Sequence, residues 1–176
     1  SGRGKSTLGD ILMGLLEPTE GYLEIDGVKL HKNNKFSKND WYKNISHVPQ
    51  DIFLIDGTVA ENIAFGVPYN EIDKKKLMQV IHASRLSNVI KNIEDAFSTI
   101  VGERGSKLSG GQRQRIGIAR ALYKGGNLLI LDEATAGIDK ISENKILNNL
   151  LKNKDMIIIA VTHNTEILDK FDQVID

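Results

Sequence analysis

The run Leu108 to Asp139, LSGGQRQRIGIARALYKGGNLLILDEATAGID, limits this chain more than any other stretch. It is a glycine-rich turn that opens a helix, then a short apolar run that ends in two acids. Ser109 is suited to cap the helix, and the amides after it are unpaired donors at the helix's positive end. Gly110 and Gly111 put no side chain between those amides and a ligand, so this terminus suits phosphate oxygens. Ile116, Ala119 and Leu122 form an apolar stripe, Arg113 and Arg115 lie outside it, and Gly125-Gly126 ends the helix. Leu128 to Leu131 reads as a strand buried on both faces. Asp132 and Glu133 then fall at its carboxyl end, where open α/β sheets place their ligands. One carboxylate there can hold magnesium; a second beside it can orient or deprotonate water.

The first residues, SGRGKST, hold the second half of a phosphate-loop pattern as Gly4-Lys5-Ser6. In such a loop the backbone amides cradle phosphates, the Lys reaches the β and γ groups and the hydroxyl serves magnesium. Leu8, Ile11, Leu12, Leu15 and Leu16 recur at helical spacing up to Pro18, so the loop opens a helix. With 176 residues there is enough chain for one domain with a core. Lys plus Arg and Asp plus Glu are 23 each, which gives no global electrostatic case for nucleic acid. Without cysteine, a disulfide framework, thiol catalysis and a cysteine zinc site are excluded. No apolar run approaches the roughly 20 residues that span a bilayer. The chain starts inside a motif and without Met, so it reads as a fragment.

LSGGQ followed at this spacing by LLILDEAT resembles the signature motif and Walker B of an ATP-binding cassette (ABC) ATPase, and GKS resembles Walker A. The resemblance runs along nearly the whole chain. VPQDIFLIDGTVAENIAFG is similar to the Q-loop region of exporters, with Gln50 as its Gln. TIVGERG, Thr99 to Gly105, resembles the exporter x-loop, although the usual Pro-x-Gly before it is replaced by Ile93-Glu94-Asp95-Ala96-Phe97. Ala134 to Asp139 matches the D-loop, with Gly137 and Ile138 where Ala and Leu are common. Thr162-His163 after an apolar strand matches the H-loop. His31, His47 and His82 have no such context.

Other segments are read from the residues. Asp26-Gly27 within Tyr22 to Leu30 signals a hairpin. Trp41 lies in a helix and packs, ahead of the strand Ile45 to Val48. Thr58 to Glu61 is a capping box. Phe53 and Leu54 read as core from the residues alone, while the resemblance implies that they are exposed contacts for the transmembrane partner. Glu71 to Ala83 and Leu86 to Phe97 read as two helices, with Lys74 to Lys76 a solvated run. Asp139 can cap the helix carrying Ile146, Leu147, Leu150 and Leu151. Met156 to Val161 reads as a second fully buried strand, and Val174-Ile175 as the start of another.

The expected fold is α/β: a P-loop sheet with helices on both faces, an inserted helical subdomain and a small β element. Residues 1–50 and 106–176 would form the core with the β element, and 51–105 the Q-loop and helical subdomain. The resemblance implies ATP hydrolysis that powers export of a lipid, lipid-linked or drug-like substrate, at the cytoplasmic face of a membrane. By the same analogy Ser1, Gly2, Gly4, Lys5, Ser6 and Thr7 bind the phosphates, and Ser6, Gln50 and Asp132 hold Mg2+. Glu133 polarises the attacking water, Gln50 reaches it, and His163 contacts the γ-phosphate. Ser109, Gly110, Gly111, Gln112 and Asp139 would serve ATP bound to a second cassette in a head-to-tail dimer. A transmembrane domain is the other implied partner, and no nucleic acid is expected. The 176 residues by themselves are not expected to work as an ATPase. The rival class is a soluble ABC ATPase acting on ribosomes or DNA; only 57 residues separate Gln50 from Leu108, with no coiled-coil heptads.

Overall fold

The computed structural model describes residues 4–30 and 38–175, with the backbone alone for Ser6 and Lys38. Ser1, Gly2, His31 and the Ser6 side chain therefore lie outside the described residues. A three-stranded parallel sheet carries the fold: β3 (Ile45–Val48), β4 (Leu128–Asp132) and β5 (Ile157–Val161), with β4 in the middle. Val48 pairs with Leu131 on one side of β4, and Asp132 pairs with Val161 on the other. The apolar run of β4 is buried on both faces, as its unbroken hydrophobicity requires. Leu128 and Ile130 face a cluster with Met13, Leu12 and Trp41. Leu129 and Leu131 face a second cluster with Ile118, Ala121, Ile146, Leu147 and Leu150. Helices thus cover both sides: α1 (Lys5–Leu12) and α2 (Lys38–Asn44) on one, α6 (Gly110–Lys124) and α7 (Lys140–Leu150) on the other. Trp41 packs as expected, and its indole N–H donates to the Leu12 carbonyl at 2.9 Å.

A third cluster is helical. α3 (Val59–Ile63), α4 (Lys74–Ala83) and α5 (Ile93–Ser98) bury Ile63, Leu77, Ile81 and Ala96 against Ile116, Ala119 and Tyr123 of α6. α6 is therefore apolar on two sides, and the single stripe read from the sequence is only the half that faces these helices. The hairpin β1 (Glu24–Ile25) and β2 (Val28–Lys29) forms on Asp26-Gly27, both with positive φ as a two-residue turn of this kind needs.

Four expectations are corrected. α1 stops at Leu12, because Gly14 turns left-handed at φ 72°; Leu15 and Leu16 leave the helix and are exposed. Residues 86–97 are not one helix: a 3₁₀ turn at Leu86–Asn88 is separated from α5, which Asn92 and Asp95 start with their own capping box. β5 is not fully buried, since it pairs with β4 alone among the described residues, and Ile157 is 67% exposed. Val174 and Ile175 pair with no strand of the described residues and are exposed. No helix of the described residues is long and apolar enough to cross a membrane.

Candidate functional site

Three parallel strands end side by side, so the residues just past their carboxyl ends meet. β3 leads through Pro49 to Gln50, β4 to Glu133, and β5 through Thr162 to His163. The Glu133 amide donates to the Val161 carbonyl at 2.9 Å and extends the β4–β5 ladder by one bond. The backbone then turns sharply, with Glu133 itself at φ 47°. A left-handed conformation in a non-glycine residue costs on the order of 1–3 kcal/mol and is kept where the surroundings enforce it. Here it swings the carboxylate across the strand ends. Its Oε1 lies 3.1 Å from His163 Nε2, and its Oε2 accepts from Gln50 Nε2 at 3.3 Å. Lys5, in the first turn of α1, completes the row with Nζ 3.4 Å from His163 Nδ1 and 3.2 Å from Nε2. The imidazole thus lies between the Lys5 cation and the Glu133 carboxylate, and its tautomer sets which ring nitrogen donates and which accepts. Glu133 is mostly buried and His163 more than half exposed, so the row opens to solvent on its imidazole side.

Of the remaining expected residues, Gly4 caps α1 with φ 78° and Thr7 is exposed on its first turn. Asp132 ends β4 beside Glu133. No group of three His, Asp, Glu or Cys residues among the described residues is placed to hold a metal unaided.

Ser109, Gly110, Gly111, Gln112 and Asp139 form a separate group. The Ser109 hydroxyl accepts from the Gln112 amide at 3.3 Å, and the Gln112 side chain accepts from the Ser109 amide at 2.8 Å. This capping box leaves Gly110 and Gly111 bare on the first turn of α6. These residues line an open cavity of about 490 Å³ with Asn88, Val89, Arg115, Gly137 and Asp139. Asp139 both caps α7, accepting from the Ser142 amide at 2.9 Å, and pairs with Arg115 at 2.9 Å. The Ser142 hydrogen bonds first, and the Arg115 charge after them, hold its carboxyl below the usual range. No hydrogen bond or ion pair among the described residues joins this group to the Lys5–His163–Glu133–Gln50 row.

Several bracing residues were not found from the sequence. Glu143 of α7 is buried, and its two oxygens accept from the Thr135 hydroxyl at 2.6 Å and from the Asn164 side-chain Nδ2 at 3.1 Å. It steadies the turns that follow Glu133 and His163. Asn62, fully buried in α3, bonds to both Ile55 backbone groups and to the Thr58 carbonyl. Arg120 of α6 donates to the carbonyls of Asn62 at 2.7 Å and Phe53 at 2.9 Å. Together they pin the segment after Gln50 to α6. The one available signal was a polar Asn inside the apolar run VAENIAF. Phe53 and Leu54 divide between the two readings: Phe53 is 63% exposed and Leu54 is core.

Residues 1–136 match the ABC transporter family. This chain belongs to that family. An ATP-dependent lipid A-core flippase of Cupriavidus metallidurans is 37% identical over 179 residues, covering 99% of this chain and 29% of that protein. ABC transporter B family member 28 of Arabidopsis thaliana is 40% identical, over 91% of this chain and 22% of that protein. A multidrug resistance ABC transporter ATP-binding and permease protein of Lactococcus lactis subsp. lactis is 39% identical, over 91% and 27%. A solved bacterial Atm1-family ABC exporter with ATP bound superposes with a TM-score of 0.84 at 32% identity, over 96% of this chain and 29% of that one. The α/β fold expected from the motifs is thus the family's fold, and membership implies that this chain binds nucleotide. The chain spans less than a third of the length of these relatives.

Proposed function

We propose that this chain is the nucleotide-binding part of an ABC exporter, and that it binds and hydrolyses ATP to drive a lipid, lipid-linked or drug-like substrate across a membrane. The observation that carries the chemistry is the row Lys5–His163–Glu133–Gln50, supplied by four separate elements. Lys5 reaches both ring nitrogens of His163, so cation and imidazole share one locus, as two groups addressing a single terminal phosphoryl group must. His163 and Gln50 each hold a different oxygen of Glu133. That carboxylate is therefore oriented before a water arrives, and it is placed to accept the water's proton. Catalysis of this kind is mostly positioning and charge stabilisation.

Ser1, Gly2, Gly4, Lys5, Ser6 and Thr7 are the residues for the phosphates. The donor set fits Mg2+, which prefers oxygen, keeps several waters and takes one or two carboxylates beside substrate phosphates. Asp132, the Gln50 amide oxygen and the Ser6 hydroxyl are that kind of set; three clustered carboxylates would not be needed. When bound, magnesium neutralises developing charge on the phosphate oxygens. Ser109, Gly110, Gly111, Gln112 and Asp139 serve ATP held by a second cassette in a head-to-tail dimer. Exposed Phe53 is a contact for a transmembrane domain, and this part works at the cytoplasmic face of the membrane. The names of the relatives favour this over a soluble cassette acting on ribosomes or DNA.

Magnesium-dependent ATP hydrolysis by the intact protein in lipid vesicles tests the reading. The wild type should hydrolyse ATP, and Lys5→Ala should lose on the order of 10²-fold or more in rate, as removal of a phosphate-stabilising donor does. Absent wild-type turnover, or equal turnover in the variant, overturns it.

A further inference from the structure

The turn that follows Glu133 is not held by its own hydrogen bonds alone. Within it, Ala136 N–H donates to the Glu133 carbonyl at 3.1 Å and Ile138 N–H to the Thr135 carbonyl at 2.9 Å. Between them Gly137 faces outward and meets the first turns of α6. Its N–H donates to Gln114 Oε1 at 2.7 Å. Its carbonyl oxygen lies where a Cβ on Gly111 would stand, 2.7 Å away. A Cβ on Gly137 would in turn stand 2.7 Å from Gln114 Oε1. The two glycines therefore let helix and turn touch backbone to backbone, and the Gln114 amide fills the notch that remains. Just beyond them, one residue past Gln114 and two past Gly137, Arg115 pairs with Asp139 at 2.9 Å.

We infer that Gln114 is a positioning residue that locks the turn 134–139, and through it Glu133, to the Ser109-capped end of α6. This rests on the proposed function for its kinetic consequence and on geometry alone for the lock itself. The Gln114–Gly137 bond is exposed, so water satisfies the freed N–H when Gln114 is truncated, and little stability is at stake. What is lost is the fixed distance between the carboxylate site and the phosphate-binding helix end. Misplacement of about 1 Å can cost as much as roughly 10²-fold in rate.

Three single variants and one double variant of the intact protein test this. Gln114→Ala should lower kcat by roughly 10- to 100-fold while KM for ATP stays within about twofold. Gln114→Glu keeps an acceptor oxygen for Gly137 and should restore most of the rate. Gly137 has no positive φ, so alanine is allowed by the backbone; Gly137→Ala should slow turnover because its Cβ displaces Gln114. If the two residues act as one lock, the double variant Gln114→Ala/Gly137→Ala is no slower than the slower single variant. Additive losses, an unchanged kcat in Gln114→Ala, or a loss confined to KM overturn the assignment. Hydrogen exchange across 134–139 without nucleotide decides the lock separately from turnover. Faster exchange in Gln114→Ala and near-normal exchange in Gln114→Glu support it; unchanged exchange in Gln114→Ala overturns it. Should the wild type hydrolyse no ATP, the proposed function fails while the exchange result still decides the lock.

Discussion

In the proposed mechanism the chemistry turns on Glu133, and its surroundings set it apart from its neighbours. It occupies the left-handed region at the point where the chain leaves β4, its amide is tied to Val161, and its two oxygens are already held by His163 and Gln50. Glu133→Gln keeps the volume and one of the two acceptor oxygens but cannot take a proton. Loss of general-base work removes about 10²–10⁴ in rate, with ground-state binding largely intact. The variant of the intact protein should therefore bind ATP nearly as well as the wild type and turn it over far more slowly. Single-turnover hydrolysis beside equilibrium nucleotide binding separates the two; near-normal turnover would remove Glu133 from this role. Glu133, Gln50 and His163 were picked out in the sequence because each follows a short strand in a recognisable motif. Glu143, which braces the turns beside two of them, was not, because a helix-face Glu looks like a solvated charge until tertiary packing buries it.

At the scale of elements, strand ends position the site and α6 binds the two halves of the molecule together. The strand β4 was legible because a strand covered on both faces must be apolar throughout, whereas β3 was read as a short run ahead of Pro49 although Ser46 and His47 interrupt it. The exposure of β5 was not legible, since an apolar run looks the same in an edge strand as in a central one. The break before α5 was hidden because its apolar residues keep helical spacing across residues 89–93, while the cap at Asn92 is a local choice. The Asn62–Arg120 clamp belongs to this scale. Asn62→Ala would leave the part-buried backbone groups of Ile55 and the Arg120 side chain with fewer partners, at no more than about 1–3 kcal/mol for each polar group left unsatisfied. A lower melting temperature is expected, together with faster hydrogen exchange over residues 51–62; an unchanged melt would show that the clamp contributes nothing to folding. β3 also carries a pH dependence. Burial lowers the His47 pKa below its usual 6.5, against the opposing charges of Asp132 and Asp10. The unfolded chain then binds a proton at higher pH than the folded one, so stability is fully present above the unfolded pKa and falls as pH drops toward the folded value. Melts between about pH 8 and pH 5 should show this slope, and His47→Gln should flatten it near pH 6.5. An equal slope in that variant would assign it to other groups.

At the scale of the whole molecule, one chain carries two surfaces suited to phosphate that do not meet. The Lys5 row lies at the strand ends, and the Ser109 cap lies on the cavity shared with Asp139, with no hydrogen bond or ion pair between them among the described residues. A two-fold head-to-tail pair would use both at once by setting each Lys5 against the other chain's Ser109. Two heterodimers of the intact protein distinguish this from a site complete within one chain. In the first, one chain carries Lys5→Ala and the other Ser109→Arg. If sites are shared, both defects fall in one site and the other site is whole. In the second, one chain carries both substitutions and its partner is wild type, so each shared site has one defect. ATP-driven closure of purified tagged pairs should survive better in the first heterodimer than in the second. If each chain served its own ATP, the order would reverse, because the wild-type chain of the second pair would keep an intact site. A reversed order would remove the role given to Ser109, Gly110 and Gly111, and leave the capping box as a helix terminus and nothing more.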